Sequence, residues 1–409
     1  MTPVYKFYIT ANSPGEISGF VSPVIKRLKK RFPACIITVI LLPCTFSTGT
    51  EEEVLKSIKE VDRVIPPGKF INFRKNLSPE KKGAILHFGG DLFYASLLSR
   101  KIKLPTFAYI WAKKSWDRDI TAYFVKNEKD VKRLMSQGID KEKIIIIGDL
   151  VADEVSDTLL EIPCREKRGK GIRICYMPGS RPREIRGLLP FLLQVAVMLK
   201  EKFPDSEHYL MISPFIRDKD LETVLSNIIP HPKAKGLAGS YNPETEEVTG
   251  ESGKGLKLVR SGQKEIMAGA DLIITIPGTK TAEAGVLGIP GIVFLPLNEP
   301  SVIPHVGLVG LLDYIPFIGP YIKGRILLRL SDKFGFMAQP NLLAGEEIIP
   351  EIRGIIYPEE IANRAIKLLE SPDIRKNISK KLLKIYNPFK GSADRLVNKL
   401  GEYLEAEKQ

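Results

Sequence analysis

Apolar, strand-like runs alternate with amphipathic helical ones along this chain, and no other feature constrains its fold so tightly. VYKFYIT leads through a glycine-containing turn to VSPVIKRLKKRF, and CIITVILLP leads to EEEVLKSIKEV. GAILHFGG, TFAYIW, TAYFVKN and KIIIIGD follow. Short β-rich runs separated by helical stretches build parallel sheets with helices on both faces. EIPCREKRGKG, residues 161–171, is charged and has no apolar period, so it reads as an interdomain linker. The alternation then restarts with IRICYMPGS, LLPFLLQVAVMLKEKF, SEHYLMIS, GLKLVRS, DLIITIPGT and PGIVFLPL. Two doubly wound α/β domains in succession are the simplest reading, with residues 231–255 as a long polar loop.

Composition narrows the partners. A chain of 409 residues exceeds what one hydrophobic core usually organises. No apolar run has the length and flanks of a spanning helix, and MTPVYKFYIT has no signal-peptide pattern, so a cytoplasmic location is expected. Cys35 and Cys175 lie in apolar runs and read as reduced core thiols. The formal net charge of +13 suits an anionic partner. Signatures of nucleic-acid binding are missing, which leaves phosphorylated substrates or an acidic membrane face. Residues 300–330 are apolar, broken by proline and glycine, and end in Lys323, Arg325 and Arg329. They read either as a buried connection or as a patch dipping into the membrane interface beside lipid head groups.

Ligands of open parallel sheets bind beyond the carboxyl ends of strands, and four strand ends here carry residues suited to that. TANSPGEISGF offers Gly15 and Gly19 for close backbone approach, with Glu16 at a helix start. It lacks the dinucleotide pattern of three spaced glycines. LHFGGDLFYAS places Asp91 where it can cap a helix or face a cleft. In CYMPGSRPREI, Gly179 and Ser180 can bring backbone N–H groups to an anion, and Arg181 adds a fixed cation. In IPGTKTAEAGVLGIP, Thr279 is the expected N-cap, Gly278 admits an anion to the first turn, and Glu283 follows one turn in. A carboxylate there suits a ribose diol.

These stretches, with MAQPNLLAGEEIIPEIRG at residues 337–354, resemble those of the lipid-A-disaccharide synthase family, inverting glycosyltransferases of the GT-B type. The resemblance implies two Rossmann-like domains facing a cleft: residues 1–165 for the lipid or sugar-phosphate acceptor and 166–375 for the UDP-sugar. Residues 376–409 would return to the first domain or meet a partner chain. It implies Asp91 as general base, and Gly15, Glu16, Ser18 and Gly19 on the acceptor side. Gly179, Ser180, Arg181, Gly278, Thr279, Thr281, Glu283 and Asn341 would line the UDP side. Peripheral attachment to the inner face of the cytoplasmic membrane follows as an expectation, as does the homodimer that members often form. No cofactor is implied, and the absence of an Asp-x-Asp motif fits transfer without a metal.

The chain departs from the family pattern in places. Phe20 stands where the Gly-Glu-x-Ser-Gly turn continues to Asp, and Glu346 stands where Arg is common. Those departures leave open a UDP-sugar transferase making another membrane glycolipid. A UDP-sugar epimerase of the same shape and a non-catalytic lipid- or nucleotide-binding relative are the readings outside glycosyl transfer.

Overall fold

The computed structural model describes residues 4–43, 51–110, 116–160, 171–179, 181–213, 216–226, 236–299 and 335–406. The segment 300–330, the linker through residue 170 and Ser180 lie outside them. Two compact units divide the chain: Met1–Asp157 with Pro388–Gln409, and Thr158–Asn387.

The first unit is built on a seven-stranded sheet: β1 (Lys6–Ala11), β2 (Ile36–Leu41), β3 (Arg63–Ile65), β4 (Gly83–His87), β5 (Thr106–Tyr109), β6 (Ala122–Val125) and β7 (Ile144–Ile146). All neighbours are parallel in the order β3-β2-β1-β4-β5-β6-β7. Helices cover both faces of such a sheet, so its inner strands are apolar throughout rather than alternating. IITVIL in β2 is buried beyond its first residue. The helix Ser22–Arg31 turns Val24, Ile25 and Leu28 to the sheet. Three cations of its basic run are paired inside the unit: Arg27 with Asp157, Lys29 with Asp62 and Arg31 with Glu405.

The C-terminal helix Ser392–Ala406 completes this unit, burying Leu396, Val397, Leu400 and Leu404. Asp153 anchors its start by accepting the backbone N–H groups of Gly391 and Ala393, and Arg395 Nε donates to the Ile147 carbonyl at 2.7 Å. The preceding helix, Pro372–Tyr386, stays with the second unit, and the return begins at Pro388.

The second unit carries β8 (Arg173–Met177), β9 (Glu207–Met211), β10 (Gly239–Asn242), β11 (Glu247–Gly250), β12 (Gly255–Val259), β13 (Leu272–Thr275), β14 (Gly291–Pro296) and β15 (Glu351–Gly354). Their order is β10-β11-β12-β9-β8-β13-β14-β15, parallel from β12 through β15. Here the structure corrects the long polar loop expected at residues 231–255. β10 and β11 form an antiparallel hairpin on the sheet edge, with Tyr241 opposite Val248, both buried. Asn242 Oδ1 accepts the Glu244 and Thr245 N–H groups and closes the turn. With four residues in each strand, and one buried in β10 and two in β11, the alternation was too short to register as a strand pattern.

Cys35 and Cys175 are buried free thiols, as expected. Among the described residues no helix is long and apolar enough to cross a membrane. Asp153→Ala strips the buried Ala393 N–H and the partly buried Gly391 N–H of their acceptor, and we expect a loss of about 1–3 kcal/mol in urea unfolding. An unchanged midpoint would show that the terminal helix is held by its apolar face alone.

Candidate functional site

Each sheet changes its direction of growth once: β2 and β3 add on one side of β1 while β4 adds on the other, and β8 stands in the same relation to β9 and β13. Crevices open at such switch points, beyond the carboxyl ends of the strands. The four stretches singled out in the sequence leave β1, β4, β8 and β13, two at each switch point.

In the first unit, β1 runs into a short helical turn, Pro14–Glu16, and then a π-helical turn, Ile17–Val21, before the regular helix begins. Glu16 and Ile17 both donate backbone N–H groups to the Ser13 carbonyl, which curls the side chain of Glu16 back over the strand end. Its Oε2 accepts the Asn12 N–H at 3.0 Å, and its carboxylate lies against Gly89, where any Cβ would overlap it. Burial pushes this carboxyl up from 4.5 to about 7 against the opposing hydrogen bonds from Asn12 and Ser13. No ion pair joins Glu16 to a cation among the described residues.

Asp91 follows two residues after Gly89. It is exposed and caps the helix Leu92–Ile102, its Oδ1 accepting the Phe93 N–H at 2.9 Å. Gly19, expected to admit a ligand, is buried and lets the π-helical turn approach Val151 instead. Ser18 is exposed and Gly15 partly buried.

Phe20, the departure from the family acid, is 4% exposed and meets the Tyr109 ring edge-on at 5.2 Å. Lys126 Nζ lies over the Phe20 ring, 5.9 Å from its centroid, and pairs with the fully buried Asp149 at 2.8 Å. Tyr109 donates its hydroxyl to the Gly148 carbonyl and is held well above the usual phenol range, by burial first and the Asp149 charge second. This Phe20–Tyr109–Lys126–Asp149 group escaped the sequence reading because its members come from four separate strand ends. None carries a motif alone.

In the second unit, Gly179 takes φ +109° and leaves room for the Glu184 carboxylate, which a Cβ would overlap. Glu184 accepts the Arg181 backbone N–H at 3.0 Å and its Nη1 at 2.7 Å, capping the helix Pro182–Lys202. Arg181 is therefore held in place by its own helix start. Across the switch point, the helix Thr279–Leu287 is capped by Gly278, one residue before the expected Thr279. Nothing lies within 4 Å of a Cβ built on Gly278, and Thr279 is exposed, so this helix start is open. Glu283 is 8% exposed and its Oε2 accepts Lys280 Nζ at 2.8 Å.

Two expected UDP-side residues have their polar groups spent internally. Thr281 is fully buried, donating to the Gly278 carbonyl at 2.7 Å and accepting the Gln339 N–H at 3.1 Å. Asn341 is also fully buried. Its amide donates to the Ile349 carbonyl and to Glu351, and its Oδ1 accepts the Ile348 and Ile349 N–H groups. All four hydrogen-bonding positions of an asparagine are then filled, and none faces a ligand. Glu351, which the sequence reading passed over, accepts the Met337 and Ala338 N–H groups and so caps the helix Gln339–Ala344 from β15. Glu346 is exposed and lies 3.6 Å from Lys381.

No family model matches the chain. Its curated sequence relatives include the lipid-A-disaccharide synthase of Nitrosococcus oceani, 26% identical over 225 residues, or 55% of this chain and 46% of the relative. That of Sulfurihydrogenibium sp. is 25% identical over 277 residues, 65% of this chain and 61% of the relative. The chain thus spans about half the length of the curated relatives it matches. Among solved structures, UDP-GlcNAc 2-epimerase from Neisseria meningitidis bound to UDP-GlcNAc matches with a TM-score of 0.58 at 16% identity, over 98% of this chain and 100% of the other. The Methanocaldococcus jannaschii UDP-GlcNAc 2-epimerase gives 0.55 at 17%, over 97% and 99%. These likenesses bear out the GT-B fold, two parallel-sheet α/β domains.

Two stability measurements follow from the site. A carboxyl raised on folding binds its proton more tightly in the native state, so stability falls as pH rises from about 4.5 to about 7. Glu16→Gln should flatten that slope and raise unfolding free energy near pH 8 by roughly 1–3 kcal/mol, measured with urea. An unaltered slope removes the burial argument. Asn341→Ala should cost about 2–4 kcal/mol, more than Thr279→Ala, because it leaves several buried partners unsatisfied; equal small losses would contradict the internal role of Asn341.

Proposed function

We propose that the chain is an inverting glycosyltransferase that moves an acylated glucosamine from UDP to a lipid-linked or phosphorylated sugar. The observation that carries this reading is the open helix start at Gly278–Thr279, set across the β8/β13 switch point from Arg181. Free N–H groups, the helix dipole and a guanidinium together suit a diphosphate, both as bound ligand and as leaving group. Glu283, one turn further in, has one carboxylate oxygen engaged by Lys280 and the other available to a ribose diol. The curated relatives are named for lipid A disaccharide synthesis, which supports an acyl-sugar substrate. Action at the inner face of the cytoplasmic membrane completes the reading, supported by the net charge of +13.

Transfer is a single displacement. The acceptor oxygen bonds to the anomeric carbon as the bond to UDP breaks, and the leaving electron pair stays on the diphosphate. An α-linked donor therefore yields a β-glycoside. The acceptor hydroxyl loses its proton as it attacks; the first unit carries two carboxylates at its own switch point, Glu16 and Asp91.

The test mixes the protein with UDP-2,3-diacylglucosamine and 2,3-diacylglucosamine 1-phosphate in detergent, with and without a chelator, and follows product by mass spectrometry. A disaccharide phosphate with equal UDP release, insensitive to chelation, is expected. Glu283→Ala should weaken UDP binding about tenfold, the loss of a charge-assisted hydrogen bond pair; unchanged affinity would remove the ribose role. The second reading is a UDP-sugar 2-epimerase, favoured by the full-length match to such structures. Incubating UDP-GlcNAc alone separates the two, since an isomerised sugar nucleotide forms only under the epimerase reading.

A further inference from the structure

We propose that Glu16 is a positioning residue for Asp91, bracing the Gly89–Gly90 turn from which that carboxylate projects. The assignment rests on the glycosyl-transfer reading above, in which Asp91 keeps the role of proton acceptor that the family resemblance implies. Every contact it uses lies within the first unit.

Asp91 is exposed, and its Oδ1 accepts the Phe93 N–H at 2.9 Å. That bond fixes the side chain to the helix it caps, but where the carboxylate stands depends on the turn before it. β4 ends at His87, and the Phe88 N–H still donates to the Thr10 carbonyl of β1 at 2.9 Å. Two glycines then carry the chain to Asp91, and each is met by a side chain from a neighbouring strand end. Gly90 takes φ +87°, and a Cβ there would fall 2.7 Å from Leu42, just past β2. At Gly89 the three atoms nearest a Cβ all belong to the Glu16 carboxyl group, which it would overlap. Gly89 is outside the left-handed region, so its backbone does not demand glycine. The Glu16 carboxylate does.

Glu16 can serve as a brace because it is itself fixed. Its Oε2 accepts the Asn12 N–H at 3.0 Å, and its own N–H donates to the Ser13 carbonyl at 3.1 Å. Burial pushes its carboxyl up to about 7, so the uncharged form is well populated near neutral pH and rests on the turn without a cation. Glutamine has the shape of that form and keeps an acceptor for Asn12. Bracing needs shape and one hydrogen bond, whereas proton abstraction by Glu16 would need its charge.

The experiment compares Glu16→Ala, Glu16→Gln, Gly89→Ala and the double variant Glu16→Ala/Gly89→Ala in the diacylglucosamine transfer assay, with urea unfolding of each. A catalytic group displaced by about 1 Å loses on the order of 10²-fold. Glu16→Ala removes the brace and Gly89→Ala drives it out of place, so each should lower kcat about 10–100-fold while donor KM changes less than about threefold. Glu16→Gln should lose less than about fivefold, the worth of one weakened hydrogen bond. With Glu16→Ala already present, the methyl added at Gly89 enters vacated space. Gly89→Ala should then cost less than about threefold further in kcat and little in urea midpoint. Near-normal kcat in Glu16→Ala overturns the assignment, and so does a Glu16→Gln loss as large as that of Glu16→Ala. Losses that simply multiply in the double variant overturn it as well, by separating Glu16 from the turn. These outcomes are read on the variants. A wild-type chain that binds UDP but forms no glycoside overturns the transfer reading itself, and the assignment with it.

Discussion

Each sheet reverses its growth at one strand pair, and the chemistry proposed for this chain depends on those two reversals. A parallel strand needs a crossover to reach its neighbour. Once crossovers start to leave on both sides of β1 or β8, adjacent loops diverge and a crevice opens between them. Backbone donors and side chains at those strand ends cannot all be satisfied by neighbouring structure. That incompleteness makes the ends of β1, β4, β8 and β13 suitable for ligands.

The two switch points use glycine differently. Gly89 makes space for a carboxylate from the opposite loop, so Glu16 is desolvated and its proton affinity rises. Gly179 makes space for Glu184, but there the same kind of carboxylate is neutralised by Arg181 and serves to hold that cation in place. An acid over glycine is thus desolvated in one unit and ion-paired in the other, decided by whether a cation faces it.

Phe20 shows how a departure from a family pattern can be absorbed. An apolar ring packs against Tyr109 and Lys126, while the lysine turns its charge to the buried Asp149. Asn341 and Glu351 show the converse. A motif that reads as ligand-binding is consumed in tying the helix Gln339–Ala344 to β15, where its amide and carboxylate replace missing backbone partners.

Much of this was legible in the sequence. Hydrophobic period and strand-to-helix punctuation determined the two α/β units, most of the strands, the buried thiols and the four strand ends that gather at the switch points. Those features are local, set by residues a few positions apart. β3, β10, β11 and β15 were missed because strands of three or four residues carry too little pattern, and their pairing comes from distant partners. The roles of individual side chains were decided only in three dimensions. Whether Glu16 or Asp91 is desolvated depends on Gly89, more than seventy residues from Glu16 in sequence. Whether Asn341 meets a ligand or the backbone depends on β15. Burial and hydrogen-bond partners set the chemistry of a polar group, and both belong to the tertiary structure.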